Sequence, residues 1–376
     1  MPRTIVFLSV LVLAVGANLP ARSYAQTDQS AGAVFVMTNA ADKNVVIAYQ
    51  RATDGSLHEQ GRFATGGRGS GGVTDPLGSQ GSLTLTQDHS FLLAVNAGSG
   101  DISSFRVKGA ALTLVDRVAC RGSEPVAIAQ YRDLVYVLDA GGTSNVNGFR
   151  LSGSGELEAI PNSIAFLTTA NSGPGSLAFS PDGQFLLVTE KITNNIDIYP
   201  VKADGTLGTA VITPGAGPGV FAISFSPTGI ALLSETGPAG TTDISSITSY
   251  VILPGGTLSA VSTNVPTQGS ATCWQAVTPD GRFVYTSNSA SSTISAFSLV
   301  TSGTLAPLAG TVVGTLPTGS TNLDIAISSD GKFLYTLDSG TGTVHIFGVR
   351  QDGTLNNLGD IGGLGASVGL NGIAAI

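Results

Sequence analysis

Leu177-Ala178-Phe179-Ser180-Pro181-Asp182-Gly183-Gln184-Phe185-Leu186-Leu187-Val188 is two apolar runs joined by a four-residue turn. Proline presets one turn dihedral and glycine supplies a positive one, so the stretch predicts a hairpin. Related turns follow at Thr86-Gln87-Asp88-His89, Ser226-Pro227-Thr228-Gly229, Thr278-Pro279-Asp280-Gly281 and Ser328-Ser329-Asp330-Gly331, with a shortened form at Tyr131-Arg132-Asp133. Downstream of each hairpin comes a polar residue, Ile or Val, and an aromatic three residues after that aliphatic, as in Asp101-Ile102 to Phe105 and Asn145-Val146 to Phe149. Val45-Val46 to Tyr49 is the earliest copy, and later copies centre on Tyr199, Tyr250, Phe297 and Phe347. Each is followed by a turn ending in leucine, at Leu57, Leu112, Leu157, Leu207, Leu258, Leu305 and Leu355. A recurring unit of this kind, with four short strands, predicts an all-β, seven-bladed β-propeller with four antiparallel strands per blade.

The chain ends support closure of that ring. The first unit begins at Ala33-Val34-Phe35-Val36-Met37 without an opening strand, and Gly372-Ile373-Ala374-Ala375-Ile376 matches the strand it lacks. The C-terminal strand is therefore expected to complete the first blade, which removes an open sheet edge. Residues 26–376 read as one domain, and the glycine-rich stretch 61–81 reads as a surface loop too long for an ordinary connection. No Gly-Lys-Ser/Thr follows it, so a phosphate cradle is not expected.

Composition agrees. Fifty glycines and seventeen prolines in 376 residues suit strands and turns and disfavour long helices. With 11% charged residues and a net charge of −8, neither disorder nor a nucleic-acid partner is expected. Arg3 precedes the apolar run Ile5 to Val15, which decays into Ala21-Arg22-Ser23-Tyr24-Ala25. This pattern predicts a signal peptide over residues 1–25, a secreted or periplasmic location, and no membrane span after cleavage. Cys120 and Cys273 fall in the second and sixth blades, on opposite sides of the ring, so two free thiols are expected.

The second strand of each blade should end at one mouth of the central channel. Asn39, Asn96, Asp139, Glu190, Glu235, Asn288 and Asp338 hold those positions. Closely spaced carboxylates raise one another's pKa and can act as general bases, so Glu190 and Glu235 are the leading candidate bases. Lys191 and Arg121 are the cations placed to stabilise an oxyanion. Asn96, Asp139, Trp274, Gln275, Asn288 and Asp338 are candidate substrate-binding residues. Histidines 58, 89 and 345 are too scattered for a metal site or a triad. No cofactor is expected, a divalent cation on the four acids being the one exception left open.

These motifs resemble those of the seven-bladed lactonase-like propellers, among them bacterial 6-phosphogluconolactonase and the fungal carboxymuconate cyclases, and of the secreted YVTN-type repeat proteins. The resemblance covers residues 33–376 and implies a site at the channel mouth, where the family's glutamate matches Glu190 in Leu187-Val188-Thr189-Glu190. The loops in which the family carries histidine and arginine read here Ser172-Gly173-Pro174-Gly175 and Gly217-Pro218-Gly219-Val220. Two functions are therefore weighed. One is hydrolysis or cyclisation of a non-phosphorylated lactone, Glu190 or Glu235 activating water. The other is a non-catalytic, monomeric secreted propeller that binds a sugar or glycan, a peptide or an envelope protein. Convergence of Glu190, Glu235 and Arg121 on one pocket would favour the first, and their dispersal the second.

Overall fold

A computed structural model describes residues 1, 2 and 31–376. Apart from residues 1 and 2, the expected signal peptide lies outside the described residues. Seven antiparallel sheets form a ring, and neighbouring first strands touch around a central channel. Blade 4 is typical, with strands Pro174–Phe179, Phe185–Glu190, Asn195–Pro200 and Val211–Pro214 in that order from channel to rim. In blade 3 the rim strand is split into Leu157–Ala159 and Ala165–Phe166, both pairing with Asn145–Leu151. The second strands are sandwiched between blades, and Phe91–Asn96, Phe283–Asn288 and Phe333–Asp338 are buried at every position. Rim strands such as Leu57–Ala64 are largely exposed and carry the polar residues.

The repeated turns are explained by what they hold. In the hairpin of blade 4, Ser180 Oγ donates to Asp182 Oδ1 at 2.6 Å and accepts the N–H of Phe185 at 3.0 Å. Gly183 has φ +71°, and a Cβ there would collide with the Tyr131 ring of blade 3. The second repeated turn, Asp-Gly-Thr-Leu and its variants, fastens blades 1, 3, 4, 6 and 7 to the one before each. Tyr136 Oη donates to Gly205 O at 2.6 Å, Tyr285 Oη to Gly353 O at 2.7 Å, and Tyr335 Oη to Gly55 O at 3.1 Å. Ser104 and Ser249 make the same link to Gly155 and Gly303.

The ring closes as the termini predict. Ile373–Ala375 pairs with Gly32–Met37 in the register Val34–Ala375, Phe35–Ala374 and Val36–Ile373. The buried guanidinium of Arg51 gathers both ends, Nη2 donating to Ala31 O at 2.9 Å and Nε to Ile376 O at 3.2 Å. Cys120 and Cys273 are both free and buried.

The strand order leaves two unlike faces. Connections between blades, and between second and third strands, lie on a loop face, while the repeated turns lie on the opposite turn face. One sequence reading needs correction here. Gly61 lies inside the strand Leu57–Ala64, and the connection that follows does not stay on the surface. Its second half, residues 73–82, descends into the channel, where Leu77 and Ser79 are buried.

Candidate functional site

The seven strand-end residues are all buried, and each bonds partners in its own neighbourhood, although Asp139 Oδ1 has none among the described residues. Glu190 Oε1 accepts the Thr168 N–H at 2.8 Å, and Oε2 accepts the hydroxyls of Thr168 and Thr193. Glu235 Oε1 accepts the Gly217 N–H at 2.8 Å and the Thr248 hydroxyl at 2.9 Å, and Oε2 accepts Ser246 Oγ at 2.5 Å. The glycine-rich loop lies directly on this carboxylate, for a Cβ on Gly217 would fall 2.6 Å from Glu235 Oε2. Burial raises the Glu235 pKa, opposed by the Ser246, Gly217 and Thr248 hydrogen bonds.

The other positions behave alike. Asn96 accepts from Asn44 and Thr65 and donates to Asp101 and Ser103, which satisfies its amide. Asn288 accepts from Thr272 at 2.5 Å and donates to Thr293 and Ser295, and Asn39 bonds Ser70 and Gly369. Asp338 is pushed up by burial, but hydrogen bonds led by His345 and Thr341 outweigh this and hold its carboxyl well below the usual range. Asp139 accepts from Asn147, and burial pushes its pKa up to about 7. Arg121 is exposed on the loop face and donates to Ile160 O at 3.2 Å. Glu190, Glu235 and Asp338 are thus bound to separate sets of partners, while Asn147 bonds both Asp139 and the Arg121 backbone.

What the chain does bring together is Lys191, Trp274 and Gln275, around the descending segment 73–82. Trp274 Nε1 donates to Ser79 O at 2.9 Å and its ring packs edge-on against Phe221, centroids 5.1 Å apart. Gln80 exchanges two hydrogen bonds with the Gln275 backbone, at 2.7 and 3.1 Å. Gln80 leads into blade 2 and Gln275 lies in blade 6, so this contact spans the channel. The Gln80 N–H also bonds Gly175 O of blade 4 at 3.0 Å, and Ser79 Oγ bonds Val126 O of blade 3 at 2.8 Å. Toward blade 1, Gly369 N bonds Val73 O, and Asn371 bonds both Asp75 and Ser82. Segment 73–82 is therefore a plug anchored to four other blades.

At the outer end of the plug is a charged pair that sequence reasoning missed. Asp75 Oδ1 accepts from Gly78 N at 3.0 Å and Asn371 Nδ2 at 3.3 Å. Burial pushes its pKa up to about 6, and the nearby Lys191 ammonium opposes that rise. Lys191 donates to Gly78 O and lies 5.1 Å from the Phe221 ring centroid. Burial lowers its pKa, and Asp75 opposes the fall. The available signal was the length of the connection and an apolar Leu77 inside it, since connections above about 12–15 residues commonly carry a function.

No curated protein matches the chain. Among solved structures, a Bacteroides uniformis protein provisionally named a 6-phosphogluconolactonase superimposes with a TM-score of 0.70 at 20% identity, covering 93% of this chain and 100% of its own. A Bacteroides fragilis protein of the same provisional name gives 0.68 at 19% identity, covering 92% and 98%. The Pseudomonas aeruginosa periplasmic gluconolactonase gives 0.69 at 18% identity, covering 90% and 98%. At these identities the likeness is one of fold. Residues 246–362 match the sequence model of the lactonase family of seven-bladed β-propellers, whose fold the chain shares across its described length.

Proposed function

We propose that this protein is an exported, ligand-binding propeller on a lactonase-family scaffold, and that it does not use its strand-end glutamates for hydrolysis. The observation that carries this reading is the plug. Residues 73–82 fill the loop-face channel, the place where the resemblance to lactonases would put a substrate. The hydrogen bonding of Glu190 and Glu235 supports it further, because carboxylate oxygens that already accept three or four hydrogen bonds leave little room for an attacking water to be held within reach. The apolar segment after Arg3 supports export.

The test is hydrolysis of glucono-1,5-lactone and 6-phosphogluconolactone by the purified mature chain, followed by pH-stat. Rates equal to the uncatalysed reaction are expected. A rate above background that falls at least tenfold in Glu190→Gln or Glu235→Gln would overturn the reading.

The Asp75–Lys191 pair favours one second reading, hydrolysis of a small neutral lactone at the outer end of the plug. Asp75 would take a proton from water as the hydroxide oxygen bonds to the lactone carbonyl carbon, and Lys191 would face the resulting oxyanion. Collapse would break the ring C–O bond, and the leaving alkoxide would take the proton back from Asp75. Lactone turnover lost in both Asp75→Asn and Lys191→Met, but kept in the glutamate variants, would select this reading.

A further inference from the structure

The segment 165–173 leads from the split rim strand of blade 3 to the first strand of blade 4, and it crosses the seam between them with few fastenings. Its only strand pairing is the two-residue ladder of Ala165–Phe166 against Val146 and Asn145. From 165 to 171 Leu167 is the one buried residue, while Phe166 is exposed. The middle of the segment rests on acid. Thr168 bonds Glu190 twice, its N–H donating to Oε1 at 2.8 Å and its hydroxyl to Oε2. Glu190 pairs with Asn195 on the next strand, and Asp197, two residues further along, stands on the same face because side chains alternate. Asp197 is tied to the same segment, since Tyr199 Oη donates both to Asp197 Oδ2 at 3.3 Å and to Phe166 O at 3.4 Å. Glu190 and Asp197 are both fully buried, and Asp197 Oδ1 has no hydrogen-bond partner among the described residues. A proton on Asp197 turns that oxygen into a donor toward Glu190, the carboxylate acting on it.

We propose that residues 165–173 form a pH-controlled strap, fastened while the Glu190–Asp197 pair holds a shared proton and released when that proton leaves. With the proton in place the pair carries one negative charge, which the Thr168 and Thr193 hydrogen bonds serve. Its loss puts two adjacent charges in a buried site, where repulsion and lost hydration both oppose them. No cation among the described residues acts on Asp197 to offset this. The strap and the rim strand Val211–Pro214 carry no titratable side chain. In blade 3, Arg150 is bonded to Asp133 at 2.6 Å and Asp139 to Asn147, and in blade 4 Lys191 turns to Gly78 O in the plug. The strap is the part that yields, since the other walls of the pair are laddered strands of blade 4. Burial, with Glu190 adding to it, holds Asp197 up at about 7, so release falls just above neutrality. Opening uncovers Glu190 and Leu167, a surface that the protein hides in acid.

Backbone hydrogen exchange of the mature chain at pH 5.5 and pH 8.5 tests this, read as protection factors, which remove the intrinsic pH dependence of exchange. The Thr168 amide is expected to be about a hundredfold less protected than that of Leu187, buried inside blade 4, because the strap opens without the blade. Its protection should fall about tenfold or more from the lower pH to the higher. Asp197→Asn keeps a donor toward Glu190 and cannot ionise, so it should hold the change within about threefold. Asp139→Asn, which removes a different buried carboxyl, should leave the fall in place. Thermal unfolding identifies a variant that fails to fold, and Glu190→Gln, which removes the second charge, then decides by the same loss of pH dependence. Thr168 as protected as Leu187, no fall in the parent chain, or the same fall in Asp197→Asn would each overturn the strap. So would a fall that Asp139→Asn abolishes.

Discussion

The side-chain amide of Gln80 pairs with the backbone of Gln275 in both directions, Nε2 donating to the carbonyl at 2.7 Å and Oε1 accepting the N–H at 3.1 Å. The amide thus acts as one more rung of backbone for a strand on the far side of the channel. Gln275 continues the link outward, since its own Nε2 donates to Leu232 O at 2.6 Å and Ala222 O at 3.2 Å in blade 5. A plug held this way is part of the folded ring and not an appended lid.

Removing the Gln80 amide therefore strands two backbone groups inside the channel. Each unpaired buried group costs roughly 1–3 kcal/mol. Gln80→Ala is expected to lower stability by about 2 kcal/mol in denaturant unfolding. It should also speed hydrogen exchange at the Gln275 amide more than at Val284, whose exchange reports the sheet interior. Equal protection at Gln275 in both proteins would show that the plug does not depend on this pair.

Much of the fold was legible, and the reason is repetition. Ser180 to Gly183 and Asp204 to Leu207 occur in variant form around the ring because each solves a local problem that recurs from blade to blade. One closes a hairpin against the preceding blade, and the other presents a carbonyl to that blade's tyrosine or serine. The site was legible only in part, because Asp75, Gln80 and Asn371 occur once. Gly78 meets Lys191, Gln80 meets Gln275 and Asp75 meets Asn371 across 113, 195 and 296 positions of chain. Nothing in local spacing announces such a pairing. Glu190 and Glu235 were placed correctly at strand ends, but no pattern of residue types could tell that threonine and serine hydroxyls would occupy their oxygens.

The buried carboxyls predict an unusual pH profile. Burial is the leading cause that holds Asp75 at about 6 and Asp139, Asp197 and Asp324 at about 7, with Glu190 adding to the rise at Asp197. In the unfolded chain these groups ionise near 4. Between about pH 4 and pH 7 the unfolded state therefore binds fewer protons than the folded one, and stability falls as pH rises. Asp338 works oppositely, because its depressed folded pKa stabilises above the unfolded value and that contribution fades below about pH 4. Thermal unfolding should accordingly be highest near pH 4–5. Asp197→Asn should raise the midpoint at pH 8 and change it little at pH 4, and a profile that climbs from pH 4 to pH 8 would contradict this assignment.

The thiols offer a second check on packing. Cys273 is pushed up to about 12 by burial, and Cys120 is raised by burial and by the nearby Asp139 and Asp101 carboxylates. Neither should form appreciable thiolate at pH 8, and the thiolate is the reactive form. An aromatic disulfide reagent should therefore titrate no thiol in the native protein within an hour and two in denaturant. Immediate reaction of one equivalent in the native state would mean that the covering over one of the two cysteines opens readily.

Closure of the ring concentrates on Arg51, and it gives the last prediction. Its guanidinium donates to Ala31 O and Ile376 O, faces Asp330 Oδ2 at 3.3 Å, and lies 5.2 Å from the Phe333 ring centroid. One side chain thereby joins the N-terminal strand, the C-terminal strand and the hairpin of blade 7. Asp330 is one-third exposed, so its ion pair contributes toward the low end of the range for buried pairs. The two carbonyl contacts matter more, since they tie both terminal strands to a side chain that is itself almost wholly buried. Arg51→Met keeps the stem over Phe333 and removes only the donors, and it is expected to cost about 2–3 kcal/mol. Deleting residues 373–376 should do more, because it bares the Gly32–Met37 edge, and an exposed strand edge invites pairing between molecules. Size-exclusion chromatography should then show dimers or larger species for the truncated chain and a single monomeric peak for Arg51→Met. If the truncated chain stays monomeric with an unchanged unfolding midpoint, the C-terminal strand does not hold the ring shut.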